Sequence, residues 1–526
     1  MNCPACCRAL AFASLVALSL PGTNAEAGQS EPNAQPKTVA ASPMPAPAAP
    51  SAQPEAPSRS AGLSGKVGTP QIQRTPAQQR YGLPKNPMVG PPVDTDLSKP
   101  LTLERAIRIG LQQQNAIAIA QAQAEAAKAQ LTQARSSYYP QITPSLSYIT
   151  SLRPGGTVFI NGVPFGGSSQ SETRTDAIVA RQLIWDTGRR EASVGLSRRN
   201  VFAAEYSLGN QRQDVILNVI TAYYNVLRDQ ELVRVQEENV RRAQTTLESI
   251  RAQVEVGNAA RSDTLQAESD LANAQVALLQ AQNNLNVDQA TLKNAMGVVT
   301  SQPLILADQQ AAPPDTTPDT NSLDHYVQIA YDNRLDIKAQ QERVNAQGYN
   351  VRLAHIDNGI SAQADITEGY QLDPDAGEER QFTVSISYPL FNGGSTRAAV
   401  RQSKAQLEQE RRALDQLQQA VRLNVEQSYL TREQARRSIV ASQTAVRAGQ
   451  INYDAALEKQ RNGLINIIDV INAEAQLVQA QVNLVQSIYD FYIADARLQR
   501  DIGRNDPEYV PNVPGAKKPE PAKAVK

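Results

Sequence analysis

The chain has 526 residues, 51 Lys and Arg against 52 Asp and Glu, a formal net charge of −1 and only 5% aromatic residues. That balance excludes a basic nucleic-acid binder, and three cysteines with two histidines, His325 and His355, leave little material for a disulfide scaffold, a metal centre or nucleophilic catalysis. A mean hydropathy of −0.42, with abundant Ala, Gln and Asn, points to long polar-faced helices rather than to several conventional cores.

Residues 1–27 read as a secretory signal peptide. Arg8 is basic, Ala9–Leu20 is an apolar run, Pro21-Gly22 break it, and Ala25-Glu26-Ala27 form a small-residue cleavage site. That run of about 12 residues is too short for a membrane span, which takes roughly 20, and no later apolar stretch is longer. Cys3, Cys6 and Cys7 all precede it, so the mature chain is expected to carry no cysteine. Residues 28–100 are rich in Pro, Ala, Gln and Ser, bury too little to offset chain entropy, and read as a disordered periplasmic arm. Residues 505–526, rich in Pro and Lys, read as a second disordered tail.

Between these ends the chain repeats itself. Gly257, Asp263, Ala267, Glu268 and Leu271 match Gly463, Asp469, Ala473, Glu474 and Leu477 at one constant offset. Gly297 meets Gly503, and Trp185-Asp-Thr-Gly meets Phe391-Asn-Gly-Gly. The copies span 101–298 and 322–504, with a linker at 299–321. A Gly- and Ser-rich segment between Thr150 and Thr175 lengthens the first copy by about 12 residues and reads as a long exposed loop.

Each copy reads as helix, strand, loop, strand, long helix, break and helix. The strands follow from period-two alternation: Ile142, Leu146 and Tyr148 against Thr143, Ser145 and Ser147; Ile360, Ala362, Ala364 and Ile366 against Ser361, Gln363, Asp365 and Thr367; Phe382, Val384, Ile386 and Tyr388 against Thr383, Ser385 and Ser387. A fourth strand near Asp176–Ile184 alternates poorly. Arg189–Val256 and Ser395–Asn462 contain no proline, which at 1.5 Å per residue allows roughly 100 Å of helix. A Gly costs a helix about 1 kcal/mol relative to Ala, so Gly257 and Gly463 mark turns where these rods reverse.

The alternation suits either a half-buried soluble sheet or a transmembrane barrel with interfacial aromatics at Tyr138, Tyr139, Tyr148, Trp185, Tyr388 and Phe391. A signal peptide and the lack of any other core favour the barrel. Four strands cannot close one, and an open edge in lipid leaves backbone groups unpaired, so copies must pool their strands. The expected fold is thus a mixed α/β membrane protein: a trimeric 12-stranded transmembrane β-barrel, four strands per chain, continued by a long periplasmic α-helical barrel and built on an internal duplication.

Over almost all of 101–504 the residues resemble the TolC family of outer-membrane efflux and secretion channels. The matching features are Leu103-Glu-Arg-Ala-Ile-Arg-Ile, Tyr138-Tyr-Pro-Gln, Trp185-Asp-Thr-Gly, Tyr388-Pro-Leu-Phe-Asn-Gly-Gly, Val256-Gly-Asn and Asn462-Gly-Leu. The resemblance implies a homotrimer in outer-membrane lipid and a closed periplasmic tip that opens when a periplasmic adaptor (membrane fusion) protein docks. It further implies an inner-membrane transporter as partner, in a tripartite efflux pump or a type I secretion system, with no cofactor, no nucleic acid and no chemical transformation. It places the turns of Gly257 and Gly463 at the adaptor-contacting tip and Asp469 in a pore constriction with Asn472, which stands where some members carry a second acid; Arg261 and Asp263 lie beside the first turn, Arg261 reading either as a bridge between tip helices or as a plain exposed charge. Asp263 and Asp469 also suit the first turn of a helix, where the dipole favours a carboxylate. The rival reading is a secreted trimeric coiled-coil scaffold, soluble without detergent.

Overall fold

The structure, a computed structural model, describes residues 100–514 apart from 154–157, 166–168, 301, 303, 308–313, 315–316, 318–320 and 374–376. The expected signal peptide, residues 28–99 of the arm, part of the linker and residues 515–526 of the tail lie outside the described residues.

The first copy opens with two short helices, α1 (Leu103–Gln113) and α2 (Asn115–Ser136). Thr102 caps α1 by accepting from the Arg105 amide at 3.3 Å. The strands follow: β1 (Gln141–Arg153), β2 (Val158–Ile160), β3 (Val163–Phe165) and β4 (Ser169–Trp185). A 67-residue helix α3 (Arg189–Glu255) then leads through a turn into the 35-residue α4 (Arg261–Ala295). The second copy runs α5 (Leu323–Asn333), α6 (Leu335–Ile356), β5 (Ser361–Asp373), β6 (Gly377–Ser387), α7 (Ser395–Arg461) and α8 (Ile467–Asp501). Its long helices again have 67 and 35 residues.

The segment expected as a loop after Thr150 carries regular structure, because β2 and β3 pair antiparallel as a small hairpin. Its turn is Asn161-Gly162, both at positive φ (49° and 78°), the backbone that Asn and Gly adopt in two-residue hairpins. The fourth strand also extends further than the alternation suggested, reaching back to Ser169.

The large sheet has the order β1-β4-β5-β6, antiparallel throughout, and within one chain β1 and β6 each keep an open edge. Register puts Ile142, Ala180, Ile366 and Phe382 in one cross-strand row, and Thr143, Val179, Thr367 and Gln381 in the next. Opposed residues share a face and neighbours in sequence do not, so one face carries Ile142, Leu146, Ile366, Phe382, Val384 and Ile386. The other is dominated by Thr, Ser and Gln, with Arg181 bonded to Asp365 at 2.9 Å. The apolar face is bare: Ile142 is 67% and Ile386 73% exposed. No described helix is long and apolar enough to cross a membrane, a statement that does not bear on strands.

Helix α2 packs on α3, α3 on α6 and α6 on α7, while α4 packs on α3, α3 on α8 and α8 on α7. Repeat-equivalent residues fill two cores where the short helices meet the rods: Val215, Val219, Leu292 and Met296 in the first, Val421, Val425, Leu498 and Ile502 in the second. Residues from Asn505 to Pro514 are not the solvated tail that composition suggested. Asn505 donates to the Gln213 carbonyl, Arg212 pairs with Asp506 at 2.9 Å and stacks over Tyr509, and the Tyr509 hydroxyl donates to the Glu205 carbonyl. Gly209 leaves the room, since a Cβ there would meet the Tyr509 ring at 2.5 Å.

Candidate functional site

Two regions carry the expected site residues: the pair of helix-reversing turns and the junction between sheet and rods. At the first turn Gly257 has φ +79° and its amide donates to the Val254 carbonyl at 3.1 Å, while the Asn258 amide reaches back to the Gln253 carbonyl at 2.8 Å. At the second, Gly463 has φ +70° with the same two bonds, to Gln460 at 2.9 Å and from Leu464 to Lys459 at 2.9 Å. These are Schellman caps, in which a left-handed residue lets the last carbonyls of a helix find donors. Nothing lies within 4 Å of a Cβ built at either glycine, so both turns are open surface.

The two aspartates after these turns occupy equivalent positions but use their carboxylates differently. The Ala260 amide donates to Asp263 Oδ2 at 3.4 Å and the Ser262 hydroxyl to Oδ1 at 3.2 Å, so Asp263 closes the start of α4. Asp469 keeps only the backbone bond from its amide to the Asn466 carbonyl at 3.1 Å; its carboxylate is exposed and unpaired among the described residues. Asn472, one turn later, is exposed on the same side of α8. Arg261 opens α4 and is exposed.

Above the turns, the rods of the first hairpin are tied by Arg251 and Glu268 at 2.8 Å, both largely in solvent. Glu474, the repeat partner of Glu268, is instead 2% exposed and accepts from Arg242 Nε at 3.2 Å, across the seam between the hairpins. Sequence reasoning missed this pair. The repeat aligned the two glutamates, but burial depends on which helix packs beside each.

At the sheet junction Trp185 ends β4, Tyr138 and Tyr139 precede β1, and Tyr388 and Phe391 follow β6, all exposed. Tyr138 donates to Glu191 at 3.1 Å and lies under the Arg190 guanidinium, 5.0 Å from its ring centre. Arg190 also donates to the Leu183 and Ile184 carbonyls and pairs with Asp186, whose carboxylate accepts from the Gly188 and Arg190 amides. The end of β4 and the start of α3 are thereby joined rigidly. Tyr148 departs from the expected strand-end girdle: it lies well inside β1, opposite Arg174.

Comparison with known proteins agrees with this architecture. The family model described as outer membrane efflux protein matches residues 106–298 and 326–504. The outer membrane efflux protein BepC of Brucella suis is 30% identical over 383 residues, covering 70% of this chain and 78% of that protein. The alkaline protease secretion protein AprF of Pseudomonas aeruginosa is 24% identical over 314 residues, covering 55% and 61%. The solved outer membrane protein VceC of Vibrio cholerae superposes with a TM-score of 0.64 at 18% identity, covering 76% of this chain and 96% of that one. On these grounds the chain belongs to the outer membrane efflux protein family, the family of TolC, and is a protein of the outer membrane.

Proposed function

We propose that three copies of this chain form a passive exit duct through the outer membrane. The observation that carries this reading is the four-stranded sheet, with one bare apolar face, one polar face and two open edges. Backbone groups cannot be left unpaired in lipid, so β1 of one copy pairs with β6 of the next until the sheet closes. Three copies pool twelve strands, enough for an aqueous lumen lined by the Thr- and Ser-rich face. The rods extend the same wall about 100 Å towards the turns at Gly257 and Gly463.

The duct serves a tripartite efflux pump or a type I secretion system, since relatives carry both kinds of name. A periplasmic adaptor docks at the exposed turns, with Arg261 and Asp263 beside the first, and opens them towards an inner-membrane transporter. Threefold symmetry brings three unpaired Asp469 carboxylates together around the axis, with Asn472 above, as a cation-attracting constriction. The chain itself transforms nothing.

The test is the native mass of the protein extracted from outer membranes in mild detergent and corrected for bound detergent. A species of three chains that precipitates when detergent is removed supports the pooled barrel. A species soluble without detergent refutes it and leaves a secreted coiled-coil scaffold.

A further inference from the structure

The seam between the two turn-bearing hairpins is apolar, with Leu247 and Ile250 of α3, Ala267 of α4, Tyr453 of α7, and Val470 and Leu477 of α8. Into it are set Glu474 of α8 and Arg242 of α3. Only one carboxylate oxygen is bonded; Glu474 Oε2 and Arg242 Nη2 are both buried without a hydrogen-bond partner. A buried pair with orphaned atoms on each side recovers less than it loses in hydration.

Each helix packed on Glu474 presents a titratable or charged group. Arg242 comes from α3, 3.9 Å from Glu238, which Arg241 holds at 3.1 Å. Asp270 comes from α4, and Tyr453 from α7, with Asp454 and Arg461 beyond it. Burial is the largest influence on Glu474 and, with Asp270, pushes its carboxyl up to about 7, although Arg242 pulls the other way. Burial raises Asp270 as well. Glu268, the repeat partner on the exposed hairpin face, has none of this surrounding.

We propose that Glu474 is a proton-operated lock on the closed tip: protonated, it seats in the seam without a buried negative charge, and ionised, it favours the arrangement in which the second hairpin swings away and exposes it to water. This rests on the duct reading above, in which the hairpins form the gate. Closed, the carboxyl holds its proton up to about 7; released into water it returns to the ordinary 4.5. The closed state therefore binds the proton more tightly, acid favours closure, and opening between these limits releases one proton per chain. The closed-to-open ratio therefore falls as pH rises from about 4.5 towards about 7.

The purified trimer in planar lipid bilayers, recorded from pH 5 to pH 8.5, tests this. The expected result is an open probability that rises with pH in the unmodified protein and stays flat and low in Glu474→Gln, which mimics the protonated side chain. Arg242→Met removes the group that favours ionisation and moves the midpoint upward; Asp270→Asn moves it downward. Unchanged pH dependence in Glu474→Gln, or midpoints that move the opposite way, overturns the lock. If Glu474→Gln fails to assemble by native mass, Asp270→Asn, which leaves the pair in place, decides: no downward shift refutes the proposal. A trimer that conducts at no pH between 5 and 8.5 refutes the lock, whereas the duct stands or falls on the native mass described above.

Discussion

A single repeated residue type does different work in the two halves of this chain. Asp263 spends its carboxylate on the Ala260 amide, whereas Asp469, after the equivalent turn, keeps its own free. Replacing each by Asn therefore separates a structural role from an electrostatic one. Asp263→Asn is expected to weaken the cap by about 0.5–1 kcal/mol and leave ion selectivity unchanged. Asp469→Asn is expected to leave stability within about 0.5 kcal/mol and to lower the cation-to-anion permeability ratio measured in bilayers. Equal selectivity in both variants would remove Asp469 from the constriction. The positions of both residues were legible because the repeat displays them twice. What each carboxylate touches was not: Ser262, whose hydroxyl donates to Asp263, is Ile468 in the second copy, which has no donor to offer Asp469.

Among elements, the two rods begin in different ways. Asp186 is 8% exposed and accepts from two amides and the Arg190 side chain, locking α3 to the end of β4. Its counterpart Asn392 is exposed and donates to Thr396 and Asn358. Asp186→Ala strands a half-buried guanidinium and two amides, for an expected loss of about 2–3 kcal/mol, against under about 1 for Asn392→Ala. Urea titration of the detergent-solubilised protein, followed by circular dichroism, reads both; equal losses would refute the difference. The alternating strands could be read directly, because the sheet has one apolar and one polar face and successive residues point to opposite ones. The outer half of β4 could not, since Ser169 to Thr175 is polar on both faces and carries no period. The hairpin at Asn161-Gly162 was masked by neighbouring glycines and serines, and the packing of Tyr509 on α3 joins residues 304 apart, beyond any local pattern.

At the scale of the whole molecule, the proposed duct puts the exposed aromatics near the sheet junction where membrane gives way to periplasm. Trp185 is the chain's single tryptophan, so its fluorescence reports one place. In vesicles, lipids brominated near the headgroup are expected to quench it more than lipids brominated at the chain end, as for an indole held at the interface. Stronger quenching from the chain end, or none, would displace the junction from the bilayer surface. The duplication has a further consequence. Both copies hold rods of 67 and 35 residues, although their strand connections differ in length. One residue added to a single rod would shift its turn by about 1.5 Å and rotate every later side chain by roughly 100°. The strand connections can therefore differ between the copies, as they do here, whereas the rods act as matched gauges: a length change in one displaces its turn from the other's unless both copies carry it.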